Sequence, residues 1–231
     1  IIKDYAKRDV CAEAYLAKAR YYRNEQKNQK ALQLCDEAIS LYPDYKRISA
    51  LHSLKGDILR PELTLNTNKT AYPGDSLALQ VTHKNLDGFT VNLFRTTLTE
   101  SVTEMPEINS AFYKKYTRKV KAEHLVLSRP EDYNLASGTY SILLPDEPGI
   151  YVLQVVPDSK EGKSSENFIY LTRFKALTMA LPGNNNEVVV LDAKTGNPVA
   201  DAEVIFYSTY YIGKDNKEVE RKTTDVAGKV V

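Results

Sequence analysis

The side chains able to do chemistry in this chain are few and scattered. Histidine occurs three times, at His52, His83 and His124, and no pair has metal-ligand spacing. The sequences HExxH and GxSxG and the P-loop pattern do not occur. His83 falls in an alternating run and is expected to be an exposed strand residue. Cys11 and Cys35 sit in helical sequence with no CxxC. They are expected as two thiols packed between helices; a disulfide would require Cα atoms within about 7 Å. Asp36-Glu37 and Glu131-Asp132 are adjacent carboxylates. Neighbours on a strand point to opposite faces, so neither pair suits a glycosidase dyad. Asp215, Asn216 and Glu218 carry oxygens of the kind calcium takes, although a plain polar loop accounts for them. Asn68-Lys69-Thr70 fits a glycosylation sequon, which matters only in a secreted eukaryotic chain. No residue is assigned a catalytic, cofactor-binding or metal role. No cofactor is expected, and the chain is expected not to be an enzyme.

One cationic cluster stands out: Lys114, Lys115, Arg118, Lys119 and Lys121. Without aromatic stacking partners in strand order it reads as a solvated face rather than a phosphate or nucleic-acid patch. The whole chain is nearly neutral, with 31 basic and 30 acidic residues. That balance gives no electrostatic reason to expect nucleic acid or direct membrane contact as a partner. Hydrophobic residues make up 42% and charged residues 26%, which is a globular composition. There are 16 Tyr and no Trp, as suits exposed β surface. The chain lacks an initiator Met and a signal peptide and stops inside strand-like sequence, so it is expected to be a fragment of a longer protein.

The elements that would position these residues fall into three stretches. Residues 1–60 read as helical, and neither Pro nor Gly occurs before Pro43. Val10, Ala14, Ala17 and Tyr21 recur at helical spacing, as do Ala31, Leu34, Cys35, Ala38 and Ile39. Asn28 is placed to cap the second helix, and a third spans Tyr45–Leu59. The spacing of Tyr15, Ala19, Tyr22, Ala31, Ala38 and Pro43 resembles one tetratricopeptide (TPR) unit. A plain helical hairpin, a spacer cut from a repeat array and a peptide groove are the alternatives; a single unit must pack on a neighbour.

Residues 61–172 read as an antiparallel β-sandwich of about seven strands, by the spacing of its turns and alternating runs. Leu77, Leu79 and Val81 alternate with polar residues, Asn85–Gly88 marks a turn, and Phe89, Val91 and Leu93 alternate after it. This reads as a hairpin, with Phe94 interrupting the polar face. Ser137–Leu144 and Ile150–Val156, joined by Pro145–Gly149, read as a second hairpin. Thr97–Arg129 reads as an irregular insertion, with a short helix inside Met105–Lys119 and a strand at Val120–Ser128. Residues 173–231 read as a second, truncated β-sandwich with strands at Ala176–Ala180, Glu187–Asp192, Ala202–Ser208 and Glu218–Thr224. Pro182–Asn186 and Thr195–Pro198 are its turns. The fold class is α+β, and an incomplete sandwich must leave an edge open or pack on its neighbour.

Val188–Ser208 followed by Lys222–Val230 resembles a macroglobulin-type module: strand, Thr-Gly-x-Pro-Val turn, strand, then Thr-Asp-x-x-Gly, with Asp225 and Gly228 turning into the next strand. Transthyretin-like and carboxypeptidase-regulatory modules carry related turns. Tyr72–Asp75 with Asn85 and Leu93–Arg95, then Ser141–Leu144, Pro148–Tyr151 and Phe168–Thr172, resembles the first macroglobulin (MG) domain of bacterial alpha-2-macroglobulins. With the helical extension, the pattern is similar to Bacteroidetes-type members. The resemblance implies a scaffold within an endopeptidase inhibitor that traps proteases, at the cell envelope or secreted. It also implies proteases as partners of the full-length parent, and neighbouring β-sandwich domains as partners in the same chain. No bait segment or Cys-x-x-Gln thioester is recognised, so no site residue is carried over. A cell-surface adhesin or assembly module built from β-sandwich spacers is the alternative.

Overall fold

The computed structural model describes residues 10–98, 106–182, 185–208 and 217–230. Three helices come first: α1 (Cys11–Asn24), α2 (Asn28–Leu41) and α3 (Ile48–Leu59). Their shared core holds Cys11, Ala12, Tyr15, Leu16 and Ala19 of α1, Ala31, Leu32, Cys35 and Ala38 of α2, and Leu51, Leu54 and Ile58 of α3. Small residues at Ala12, Ala19, Ala31 and Ala38 let the helices approach closely. The face of α1 chosen from Val10, Ala14, Ala17 and Tyr21 is not the core face, since Val10 and Tyr21 are exposed. The stripe through Tyr15 and Ala19 is the buried one. α3 begins at Ile48 rather than at Tyr45.

The sandwich uses β1 (Glu62–Thr67), β2 (Thr70–Ala71), β3 (Ser76–Lys84), β4 (Gly88–Thr96), β5 (Thr117–Val126), β6 (Ala136–Leu143), β7 (Gly149–Pro157) and β8 (Ser165–Leu171). One sheet runs β1-β3-β6 and the other β2-β8-β7-β4-β5. All pairings are antiparallel except the short β2–β8 pair. Leu77, Leu79, Val81 and Ile142 from one sheet meet Phe89, Val91, Leu93, Tyr151, Leu153, Val155 and Ile169 from the other.

Both expected hairpins are corrected by this topology. β3 pairs with β1 and β6, and β4 pairs with β5 and β7, so the Asn85–Gly88 turn carries the chain from one sheet to the other. β6 and β7 are likewise on opposite sheets. A turn signal reports that the chain reverses; it does not report whether the two strands bond to each other or face each other across a core. Here both alternating runs are apolar on the inward side, and stacking them across the core buries both.

The described part of the insertion holds the short helix and the strand expected of it, the strand beginning at Thr117. Asn109 caps α4 (Ser110–Tyr116) by accepting from the N–H groups of Ala111 and Phe112, both at 3.0 Å. α4 covers the outer face of the larger sheet. Phe112 packs edge-on to Phe168 and Tyr113 to Phe94, which accounts for the apolar Phe94 on that face. Beneath them Asn92 donates to Gln154, Gln154 donates to Glu166, and Tyr113 donates to Glu166.

The second β unit has β9 (Phe174–Leu181), β10 (Asn185–Asp192), β11 (Glu203–Ser208), β12 (Lys217–Thr223) and β13 (Lys229–Val230). They form a β13-β10-β9 sheet and a β11-β12 pair. Asp225 and Gly228 make the expected turn: the Asp225 carboxylate accepts from the N–H groups of Ala227 and Lys229, and Gly228 takes φ +73°. The chain as a whole is α+β, as its sequence indicates.

Candidate functional site at the helix–sandwich junction

The residues marked out for chemistry do not converge. His52 is exposed on α3. His124 contacts Asp158 at 2.6 Å on the surface. His83 is not the exposed residue expected: it is only 2% exposed, on the inward face of β3 with Leu77, Leu79 and Val81. Burial holds its pKa below the ordinary histidine value, and its Nδ1 has no hydrogen-bond partner. The inward parity of β3 extends one step past its apolar residues, and alternation alone does not show how far a core reaches.

Both cysteines are buried thiols between helices, and burial pushes Cys35 up to about 11. Asp36 pairs with Lys55, and Glu37 accepts from Tyr15 at 2.9 Å. The Tyr15 phenol is pushed up to about 12, first by burial and then by Glu37. Asp215 and Asn216 lie outside the described residues, whereas Glu218 pairs with Arg221, whose hydrogen bonds hold its carboxyl below the usual range. Among the described residues no group of three or more His, Cys, Asp or Glu is placed to hold a metal ion.

What does converge is a polar joint between helices and sandwich. α2 starts after Lys27, which offers no side-chain cap, and Asn28 is inside the helix rather than capping it. The missing acceptor comes from 103 residues away: the Asp132 carboxylate accepts from the Gln29 N–H. Asn28 Nδ2 donates to Asn134 Oδ1 at 2.7 Å, and Asn134 Nδ2 donates to the Gln26 carbonyl at 3.0 Å. Tyr133 packs on the helical core. This turn holds two consecutive non-glycine residues at positive φ, Asp132 at 62° and Tyr133 at 55°. Such backbone persists where surrounding contacts over-determine it. An anion at a helix N-terminus also complements the helix dipole.

The C-terminus of α3 is held in the complementary way. Lys84 Nζ donates to the Asp57 carbonyl at 2.9 Å and to Glu62 Oε1 at 2.6 Å. Lys84 is 9% exposed, unusual for lysine unless its charge is paired. Asn85 Nδ2 donates to the Ile58 carbonyl at 2.8 Å. Two shallow depressions of about 420 Å³ and 230 Å³ flank the joint, sharing Tyr133 in their walls. Nothing in the sequence marked these residues, since Asn28 is itself of a type that caps a helix and only the structure shows it inside α2.

A second polar joint links the sandwich to the following β unit. Only Thr172 and Arg173 separate β8 from β9. Tyr72 donates to Asp192 at 3.4 Å, Lys194 pairs with Asp75 at 2.7 Å and lies 5.1 Å from the Tyr72 ring centre, and Arg173 donates to the Asp146 carbonyl. Backbone N–H of Thr195, then of Lys194, with further bonds from Thr195 and Tyr72, holds the Asp192 carboxyl below its usual range. Asp75 draws the Lys194 ammonium upward.

No protein-family model and no curated protein matches the chain. Among solved structures it is similar to E. coli alpha-2-macroglobulin in its native conformation, at 13% identity and a TM-score of 0.43, over 74% of this chain. It is also similar to the CARDB domain of a Pyrococcus furiosus protein in complex with di-metal ions, at 11% identity, 49% of this chain and 90% of that one, with a TM-score of 0.26. A Pseudomonas fluorescens alkylpurine DNA glycosylase bound to DNA follows at 10% identity, 62% of this chain and 46% of that one, with a TM-score of 0.26. The chain spans 11% of the length of the E. coli alpha-2-macroglobulin that it matches.

Proposed function

We propose that this chain is a non-enzymatic scaffold within a longer alpha-2-macroglobulin-like endopeptidase inhibitor of the Bacteroidetes type, one that traps proteases at the cell envelope or after secretion. The observation that carries the reading is the pair of polar joints. Helices, sandwich and second β unit are each tied to the next by named side chains: Asp132, Asn134 and Lys84 at one joint, Tyr72, Lys194 and Arg173 at the other. A trap that closes around a protease needs a frame that keeps its modules oriented while another part moves. The sequence motifs at Tyr72–Asp75 and Val188–Ser208 support the same reading. Proteases are the partners proposed for the parent, and adjoining β-sandwich domains those proposed for this chain. The test is to expose the full-length parent to proteases of differing specificity and follow it on native gels. The reading predicts that cleavage at a restricted region produces a faster-migrating compact species carrying the protease. Progressive degradation with no compact species contradicts it.

A further inference from the structure

The cationic cluster gains a definite setting in the fold. β5 is the terminal strand of its sheet, and among the described residues β4 is the strand that pairs with it. Among the described residues no strand pairs with its other side, which leaves a row of backbone N–H and C=O groups there for pairing. Lys114, Lys115, Arg118 and Lys119 are exposed along or beside it. Lys121 pairs with Glu123 at 2.9 Å, but those four have no carboxylate partner among the described residues. The register shifts between Leu93 and Phe94, so Lys119 lies opposite Phe94 on one face while Lys121 lies opposite Leu93 on the other. Arg118 stands directly across from Arg95, and together with Thr96, Thr97 and Leu98 they line a depression of about 350 Å³. Like charges directly opposite are unfavourable, and among the described residues the Glu147 carboxylate pairs with Arg95 and not with Arg118.

We propose that this edge is a docking surface for an extended, acidic polypeptide segment that adds a strand to β5. Backbone hydrogen bonds supply the pairing, and carboxylates at adjacent positions reach Arg118 on one face and Lys119 on the other. A carboxylate entering the depression relieves the Arg95–Arg118 repulsion and meets guanidinium geometry suited to it. A second copy of β5 is disfavoured as occupant, because its own cations would oppose these. Nucleic acid is disfavoured because the two rings in the patch are already covered: Lys115 lies 4.7 Å from the Tyr116 ring centre and Lys119 lies 6.0 Å from that of Phe94.

The test is fluorescence anisotropy of the whole 231-residue chain with a labelled Glu-Val peptide of repeating Val-Val-Glu-Glu, which places carboxylates on both faces of an added strand, at about 50 mM and about 150 mM salt. A same-charge peptide with central prolines, a single-stranded oligonucleotide and anionic phosphatidylserine vesicles serve as comparison probes. The expected result is saturable binding of the Glu-Val peptide that weakens about tenfold with Arg118→Glu/Lys119→Glu, and about tenfold with the proline peptide. Lys114→Glu/Lys115→Glu gives a smaller loss in the same direction. Circular dichroism of each variant verifies that it is folded. Absent binding, equal binding of the proline peptide, or tighter binding of oligonucleotide or vesicles overturns the proposal.

Discussion

The carboxylate of Asp132 caps the helix that begins at Asn28 by accepting a hydrogen bond from the Gln29 N–H, across 103 residues of sequence. The cap therefore exists only when the sandwich and the helices are docked. Removing it in Asp132→Ala costs about 1–2 kcal/mol from the lost cap and the left-handed backbone. Asp132→Asn keeps an acceptor and tolerates positive φ, so it retains most of that stability. Thermal unfolding, together with amide exchange in the first turn of α2, measures both. Equal behaviour of the two variants contradicts the cap.

The opposite joint gives a parallel expectation. Lys84→Met keeps the buried stem but leaves the Asp57 carbonyl without its donor and Glu62 without its cation. A loss of about 1–3 kcal/mol is expected. Amide exchange localises it: protection falls in α3 first and in the core strands β3 and β7 last.

His83 makes acid a selective stress. Its folded-state pKa is depressed by burial, so the native state holds the neutral ring while the unfolded chain binds a proton near pH 6.5. The stability it contributes is therefore fully present above about pH 6.5 and is lost as pH falls below that value. His83→Leu removes the titrating ring and the unpartnered Nδ1 together. The difference in Tm between pH 7.5 and pH 5 shrinks in this variant relative to the parent sequence. An unchanged difference shows that other groups dominate the acid response.

Gly228 is required by its backbone and by space. It takes φ +73°, and a Cβ there would sit 2.5 Å from the Val190 carbonyl oxygen. Gly228→Ala strains the turn that leads into β13 and costs about 1–3 kcal/mol. Gly196 shares the positive φ but has open space around its Cβ position, so Gly196→Ala costs less. Denaturant unfolding of the two variants ranks them, and equal losses contradict the steric account.

These positions show what the sequence made legible. Helix periodicity, strand alternation and the turn at Asp225–Gly228 are local, and they placed the α-then-β order and the strands of the second unit. Several readings failed where tertiary packing decides, among them both hairpins, the core face of α1, the exposure of His83 and the Asn28 cap. The Asn85–Gly88 turn looks the same whether it closes a hairpin or crosses between sheets. The stripe through Val10 and Tyr21 has helical spacing yet faces solvent. The junction was harder still, because Asp132, Asn134 and Lys84 are ordinary polar residues until folding sets them against helix ends. The exposed basic cluster was legible as residues, but its place on a terminal strand was not.

The scaffold reading stands or falls on what happens to a captured protease. The direct measurement is to isolate the species formed by the full-length parent and an active protease, then compare cleavage of a small chromogenic peptide with cleavage of a large protein substrate. The account predicts that the small substrate is still cut while the large one is protected, as expected for an enzyme enclosed in a frame. Equal access to both substrates, or no stable species at all, contradicts it.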